Sequence, residues 1–250
     1  MVIGINCNGL SGKRDSLTAI LEILRPSVFL TQETTFMKKG LFKVKDYEIF
    51  ESIRKTGGGS ILTGVHCNLN PVMISDGAND DIEILVVEGE IKTKKCRFIN
   101  GYGPQESAGI DDPHKQSPNG ELLLGLVVRN NLVICNATAL CEGLITRTRV
   151  TVNGAEQSVI DFMLVCEEMF SYMEKMTVDE KKNFSVESYS KAGNQMKVTK
   201  TDHKMMIGKF DLKVQQKITQ SRREIFKYKD VERQKRFKEL TSQNTLSKRF

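Results

Sequence analysis

A chain of 250 residues, 39% apolar and 27% charged, carries enough hydrophobic material for one large domain or two small ones. No apolar run approaches the roughly 18 to 20 residues of a bilayer-spanning helix, and the N-terminus has no charged stretch followed by an apolar core, so the expectation is an intracellular protein, of cytoplasm or nucleus, with no membrane partner. The net charge of +6 is uneven: Lys213 to Phe250 holds 12 Lys and Arg against 4 Asp and Glu, which leaves Met1 to Leu212 slightly acidic, at −2.

Val2-Ile3-Gly4-Ile5 reads as a short strand running into Asn6-Cys7-Asn8-Gly9-Leu10, where amides and a glycine suit a turn. Asp15 or Ser16 is the expected cap of a helix with Leu17, Ile20, Leu21 and Leu24 at helical spacing, stopped by Pro26. Val28 to Thr31 is a buried-type strand ending in Gln32-Glu33-Thr34. If it runs parallel to the first strand, Glu33 and Asn6 reach the same end of the sheet.

Tyr47 to Glu51 alternates like a half-buried strand. Gly57-Gly58-Gly59 before Ser60-Ile61-Leu62 fits a tight turn better than a phosphate cradle. Ile84 to Val87 and Cys96 to Ile99 are further strands joined by a charged connection, and the second leads into Asn100-Gly101-Tyr102-Gly103-Pro104-Gln105. A helix is expected from Asn119, with Leu122, Leu123, Leu126 and Val127 as its buried stripe, then a strand from Leu132 to Cys135.

Thr146-Arg147-Thr148-Arg149 leads through Asn153-Gly154, a hairpin signal, to the apolar run Ser158 to Val165. Asp161 stands in the middle of that run, and an unpaired buried carboxylate costs several kcal/mol, so it should have a partner. Met176 to Val178 is a candidate strand. Glu180 to Lys200 reads as a polar excursion that returns to Thr201-Asp202-His203 and a last strand, Lys204 to Phe210. The six cysteines (Cys7, Cys67, Cys96, Cys135, Cys141, Cys166) form no C-x-x-C pair, which argues against a zinc site or a disulfide framework.

An Asp-His dipeptide alone reads first as a turn residue beside a surface histidine. The rest of the chain gives it company. Glu33 and Asp202 are hard oxygen ligands of the kind Mg²⁺ takes. Asp161 can orient the His203 imidazole, and Tyr102 and Asn6 can donate hydrogen bonds to phosphate oxygens. The set suits phosphodiester hydrolysis.

In this order, the Asn6-to-Leu10 turn, Gln32-Glu33-Thr34, the triple glycine, Asn100-to-Gln105, Ser158-Val159-Ile160-Asp161-Phe162 and Thr201-Asp202-His203 resemble the endonuclease/exonuclease/phosphatase superfamily. Within it they resemble the AP-endonuclease-like domains of non-LTR retroelements. The resemblance covers Met1 to Leu212. It implies an α/β chain of the α+β type, with two packed, mostly antiparallel β-sheets flanked by helices, a Mg²⁺ or Mn²⁺ site, and nicking of DNA. Glu33 would bind the metal with Asn6 and Asp202 beside it, Tyr102 would contact phosphate, and Asp161 and His203 would form the histidine pair. Asn8, Thr146 and Arg147 are the candidate nucleic-acid contacts. The basic tail, 213–250, resembles the connector to a reverse transcriptase in a longer parent polyprotein, with a helical stretch at Asp230 to Leu240.

One departure is large. The family carries a helix, a strand and an Asp-x-Asn motif after the tyrosine motif, whose Asp positions the attacking water and whose Asn holds the phosphate. Between Pro104 and Asn119 this chain has only Gln105 to Pro118, without an Asp-x-Asn. Asp111 and Asp112 are the nearby acids, in a context that matches no such motif. The pattern is that of an internal deletion, and it predicts one missing central strand, exposed strand edges and impaired hydrolysis. A non-catalytic binding remnant and a phosphatase of small phosphoesters are the alternatives.

Overall fold

The computed structural model describes residues 1–54, 59–78, 82–92, 94–103, 118–152, 154–192 and 195–211. Gly57, Gly58, Pro104, Asp111, Asp112, Asn153, the side chains of Asn119 and Leu122, and the tail from Lys213 therefore lie outside the described residues. In chain order the elements are β1 (Val2–Asn6), α1 (Arg14–Leu24), β2 (Val28–Gln32), β3 (Tyr47–Ser52), β4 (Ile61–His66), β5 (Val72–Ala78), β6 (Glu83–Ile91) and β7 (Lys94–Tyr102). They continue with α2 (Pro118–Arg129), β8 (Leu132–Ile134), β9 (Cys141–Glu142), β10 (Arg147–Thr151), β11 (Gly154–Ser158), β12 (Leu164–Cys166), α3 (Glu167–Phe170), β13 (Met173–Val178), β14 (Glu187–Ala192), β15 (Gln195–Lys200) and β16 (Met206–Phe210). The mixed content, with several sheets and few helices, is of the α+β type.

The chain folds as two compact units. The first takes Met1–Ser107 and Lys182–Met205; the second takes the described residues of Ala108–Lys181 and Met206–Phe250.

In the first unit β1 and β2 are parallel, from Val2 opposite Val28 to Asn6 opposite Gln32. β4 pairs antiparallel with β2 and with β3, and β5, β6 and β7 form an antiparallel meander. The two sheets are a sandwich: Val28, Ile61 and Val65 of one meet Leu85 and Val87 of the other in a shared buried cluster. Alternation along β1 and β2 sends Ile3, Ile5 and Phe29 to the opposite face, where they are also buried. There the Phe29 ring packs edge-on against Tyr47 and Phe42, with centroids 5.3 and 6.3 Å away. It lies over Gly64, its register partner on β4, so closely that a Cβ there would fall 2.0 Å from the ring. Among the described residues β7 is an edge strand of its sheet.

The sequence placed the cap of α1 at Asp15 or Ser16. The chain instead enters through a 3₁₀ turn, Ser11–Lys13, with Lys13 in the cap position. The Ser16 hydroxyl serves another purpose: it donates to the Ser185 carbonyl at 3.2 Å and accepts from the Glu187 N–H at 3.1 Å. α1 ends at Arg25, whose left-handed backbone returns an N–H to the Leu21 carbonyl ahead of Pro26. The polar excursion before Asp202 contains the hairpin β14–β15, in register from Glu187 opposite Lys200 to Ala192 opposite Gln195. β5 had no clear signal, since Ser75, Asp76 and Gly77 dilute its apolar start.

In the second unit β13 lies between β16, antiparallel, and β9, parallel; β8 pairs with β12, and β10 with β11. Its core is built from Cys135, Cys141, Met163, Met173, Met176, Val178 and Met206. On α2 Val127 is buried, but Leu126 is 48% exposed and does not join the expected stripe. The run Ser158 to Val165 is not one strand: β11 stops at Ser158 and β12 begins at Leu164. Two buried side chains take the backbone between them. Thr146 Oγ1 accepts from the N–H groups of Ile160 (3.0 Å) and Asp161 (3.1 Å), while Asn136 donates to the Asp161 carbonyl and accepts from the Met163 N–H.

All six cysteines are free thiols, with Cys7, Cys135 and Cys141 buried and Cys67 and Cys166 exposed. No helix among the described residues is long and apolar enough to cross a membrane.

Candidate active site

Because β1 and β2 are parallel, their C-terminal ends lie side by side, and the pairing continues past both strands. Cys7 N–H reaches the Gln32 carbonyl, Gly9 N–H the Glu33 carbonyl at 2.7 Å, and Leu10 N–H the Thr34 carbonyl. The loop before β4 joins them through Thr34 N–H to the Ser60 carbonyl and Thr35 N–H to the Gly59 carbonyl. Asn8, Glu33, Thr35 and Ser60 all have left-handed backbones, with φ of 45°, 51°, 55° and 65°. Each such residue costs about 1 kcal/mol or more and persists only where its surroundings fix it. This rim is therefore strained and held by hydrogen bonds.

The side chains follow from that backbone. Asn6 Nδ2 donates to Glu33 Oε1 at 2.7 Å, and Asn6 Oδ1 accepts from the Asn8 N–H at 3.0 Å. The Tyr102 hydroxyl, at the end of β7, also hydrogen-bonds to Glu33. Burial first, then the Glu33 charge and that hydrogen bond, push the Tyr102 phenol well above the usual tyrosine range. Tyr102 is thus a neutral hydrogen-bond donor at physiological pH.

Thr201 brings the distant Asp-His pair to the same rim. Its hydroxyl donates to the Asn6 carbonyl at 2.8 Å and accepts from the His203 N–H at 3.2 Å. Asp202 Oδ1 then sits 3.5 Å from Asn8 Nδ2 and 3.8 Å from His203 Nε2, with His203 buried. The first unit thus gathers Asn6, Asn8, Glu33, Tyr102, Asp202 and His203 around one pair of strand ends.

Several contributors carried no sequence signal. Lys13 is buried and donates to the Cys7 and Asn8 carbonyls at 2.7 and 2.8 Å; burial draws its pKa down, and Cys7, Asp202 and Glu33 oppose that. Lys182 donates to the Thr201 carbonyl, and its pKa too is lowered by burial. Asn100, on β7, accepts from Gln32 Nε2 and donates to the carbonyls of Thr31 and Leu62, which ties one sheet to the other beneath the rim. Glu83, fully buried and opposite Tyr102, accepts the Ser60 N–H at 2.9 Å; its Oε2 has no hydrogen-bond partner among the described residues. In sequence Gln32 and Asn100 stand only as strand-end neighbours of Glu33 and Tyr102, and a glutamate opening a strand looks like any surface acid.

The donors at the rim are oxygens: two carboxylates and two amides. Among the described residues no three His, Cys, Asp or Glu side chains group as a metal centre. A cation here would rest on Glu33 and Asp202, with water and phosphate filling the other positions, and that sparse, all-oxygen arrangement suits Mg²⁺. The Asn6 amide oxygen already accepts from Asn8, so one lone pair remains for an ion.

Asp161, Thr146 and Arg147 belong to the second unit. Asp161 is half-buried, with its backbone held as described above. Thr146 has no exposed surface and spends its hydroxyl on that loop, whereas Arg147 opens the β10–β11 hairpin, where Val150 and Val152 stand in solvent.

No protein-family model and no curated protein sequence matches this chain. Solved structures do. The endonuclease domain of TRAS1, a telomere-specific non-LTR retrotransposon, superposes with a TM-score of 0.58 at 16% identity, over 85% of this chain and 99% of that one. The fold is shared with this endonuclease domain. The 3′ phosphatase NExo from Neisseria, bound to product DNA hairpin, gives 0.58 at 15% identity over 84% and 98% of the two chains. An AP endonuclease from Archaeoglobus fulgidus gives 0.55 at 13% over 84% and 99%. The shortened segment noted in the sequence, Gln105 to Pro118, lies almost wholly outside the described residues.

Proposed function

We propose that this chain is a Mg²⁺- or Mn²⁺-dependent phosphodiesterase of the DNA endonuclease type, derived from a retroelement, whose hydrolysis is impaired. The observation that carries the reading is the convergence of Glu33 and Asp202, each beside an amide of the Asn6-to-Asn8 turn, at the end of two parallel strands. A bound Mg²⁺ would supply charge neutralisation for phosphate oxygens there. Glu33 and Asp202 would hold it, with Asn6 fixing the Glu33 carboxylate. Tyr102, kept neutral, would donate a hydrogen bond to a phosphate oxygen. His203 stabilises charge on the reacting phosphate. Asn8 and Arg147 contact the strand, and Thr146 acts by holding the Asp161 loop.

The impairment follows from sequence. No Asp-x-Asn occurs anywhere in the 250 residues. A positioned general base contributes ~10²–10⁴-fold and a single donor to the developing charge ~10²–10³-fold, and the two effects do not simply multiply. A non-catalytic DNA-binding remnant is the second reading, favoured by the same missing motif. In both readings the basic tail contacts phosphates and leads towards a reverse transcriptase region.

The test is Mg²⁺-dependent nicking of supercoiled plasmid by the full chain beside Glu33→Ala and Asp202→Ala. Slow nicking lost in both variants supports the enzyme. No nicking, with Mg²⁺ raising the melting temperature of the parent but of neither variant, supports the remnant. No Mg²⁺ effect of any kind sinks the metal site and the phosphodiesterase reading with it.

A further inference from the structure

The hairpin β14–β15 runs straight into Thr201, Asp202 and His203, yet the chemistry described above makes no use of it. Its register sets Glu187 opposite Lys200, Tyr189 opposite Val198 and Lys191 opposite Met196, which places these six on one face. The other face turns towards the body of the unit, where the Ser188 Cβ lies 3.4 Å from the place a Cβ on Gly12 would take. The first face is open: Tyr189 is 61% exposed, Met196 66% and Val198 43%. A solvent-facing strand ordinarily carries polar residues, so a tyrosine, a valine and a methionine side by side in the open mark a contact surface.

Tyr189 is held in place. Its hydroxyl donates to Glu187 Oε2 at 2.7 Å, and Lys200 Nζ grips Oε1 of the same carboxylate at 2.6 Å. The ring is tethered at its tip while most of its surface stays in solvent. The surroundings are cationic: between Lys182 and Lys200 there are four lysines and one acid, Glu187, a net of +3, and Lys191 and Lys197 are both exposed. A fixed aromatic ring among lysines is the means by which proteins hold an unpaired base and its flanking phosphates. The positive charge selects a polyanion over an ordinary protein surface.

We propose that the Tyr189–Val198–Met196 face binds an unpaired nucleobase of a DNA strand approaching Asp202 and His203, with Lys191, on the same face, on its phosphates. The identity of the ligand rests on the phosphodiesterase reading; the hairpin adds the element that grips the strand.

The experiment is fluorescence anisotropy of the full chain with oligo-dT, with an abasic strand of the same length and with oligo-U, beside photo-crosslinking to iodouracil-substituted DNA. Tyr189→Ala should weaken oligo-dT roughly 5- to 150-fold and leave the abasic strand unchanged, while Tyr189→Phe keeps most of the affinity. Lys191→Gln should reduce the salt slope by about 0.7 on both DNA strands. The crosslink should map to the Tyr189 peptide in the unaltered protein. Parent-like binding by Tyr189→Ala, equal losses on oligo-dT and abasic DNA, an effect confined to oligo-U, or crosslinks only elsewhere in the chain would each overturn the proposal. A plasmid that stays intact with no Mg²⁺ effect, while the Tyr189 results hold, removes the phosphodiesterase reading and leaves the hairpin a DNA contact.

Discussion

The hydroxyl of Thr201 donates to the main-chain carbonyl of Asn6 at 2.8 Å, joining residues 195 positions apart. The same oxygen accepts the His203 N–H, so one buried side chain fixes both the end of β1 and the turn that presents Asp202. Thr201→Val keeps the volume and strands both partners. The expected cost is about 1–3 kcal/mol, and a thermal melt should fall by several degrees, with Thr201→Ser recovering most of the loss. A Thr201→Val melt that matches the parent would remove Thr201 from this role.

Glu83 sets a pH dependence. Burial raises its carboxyl above the ordinary glutamate value, with the Ser60 N–H and Arg54 opposing. A raised folded-state pKa gives stability that is full below the unfolded value and lost as pH rises through the folded one. Glu83→Gln, which cannot ionise, should therefore gain on the parent as pH climbs from about 4 towards neutrality. Parallel melting curves across that window would contradict this.

Gly64 is required by Phe29. Gly64→Ala would place a methyl inside the Phe29 ring, and overpacking of this kind costs roughly 1–3 kcal/mol or more. Phe29→Leu should be destabilising alone, yet less so in the presence of Gly64→Ala. A double-mutant cycle in chemical denaturation measures that coupling, and strict additivity would refute the contact.

Thr146 and Arg147 should separate in their effects. Thr146→Val leaves two backbone N–H groups without their acceptor and should lower stability by about 1–3 kcal/mol. Arg147→Ala, at a partly exposed hairpin start, should leave the melt near the parent and weaken DNA binding in a salt-dependent way. The reverse pattern would exchange their roles.

The strand ends were legible because their signals are local. Val2 to Ile5 and Val28 to Thr31 are apolar runs closed by turn residues, and a helix between them forces a parallel crossover, which brings Asn6 to Glu33. The supports were not legible, because each depends on a long-range partner. Asn100 matters through Gln32, Thr31 and Leu62, Glu83 through Ser60, and Thr201 through Asn6; nothing in the neighbours of these residues announces it. The run around Asp161 misled for a related reason, since β-propensity there yields to side chains of Asn136 and Thr146 that occupy its backbone groups.

The first unit is assembled from Met1–Ser107 and Lys182–Met205, with the intervening chain assigned to the second. On a ribosome adding about 5–20 residues per second, roughly 4 to 15 seconds pass between the emergence of its two parts. During that interval Glu33 and Tyr102 are already made, while the partners of Ser16 and of the Asn6 carbonyl do not yet exist. A nascent chain arrested before Lys182 holds an unclosed rim, so this corner of the molecule closes only after a long stretch belonging to the other unit has been made.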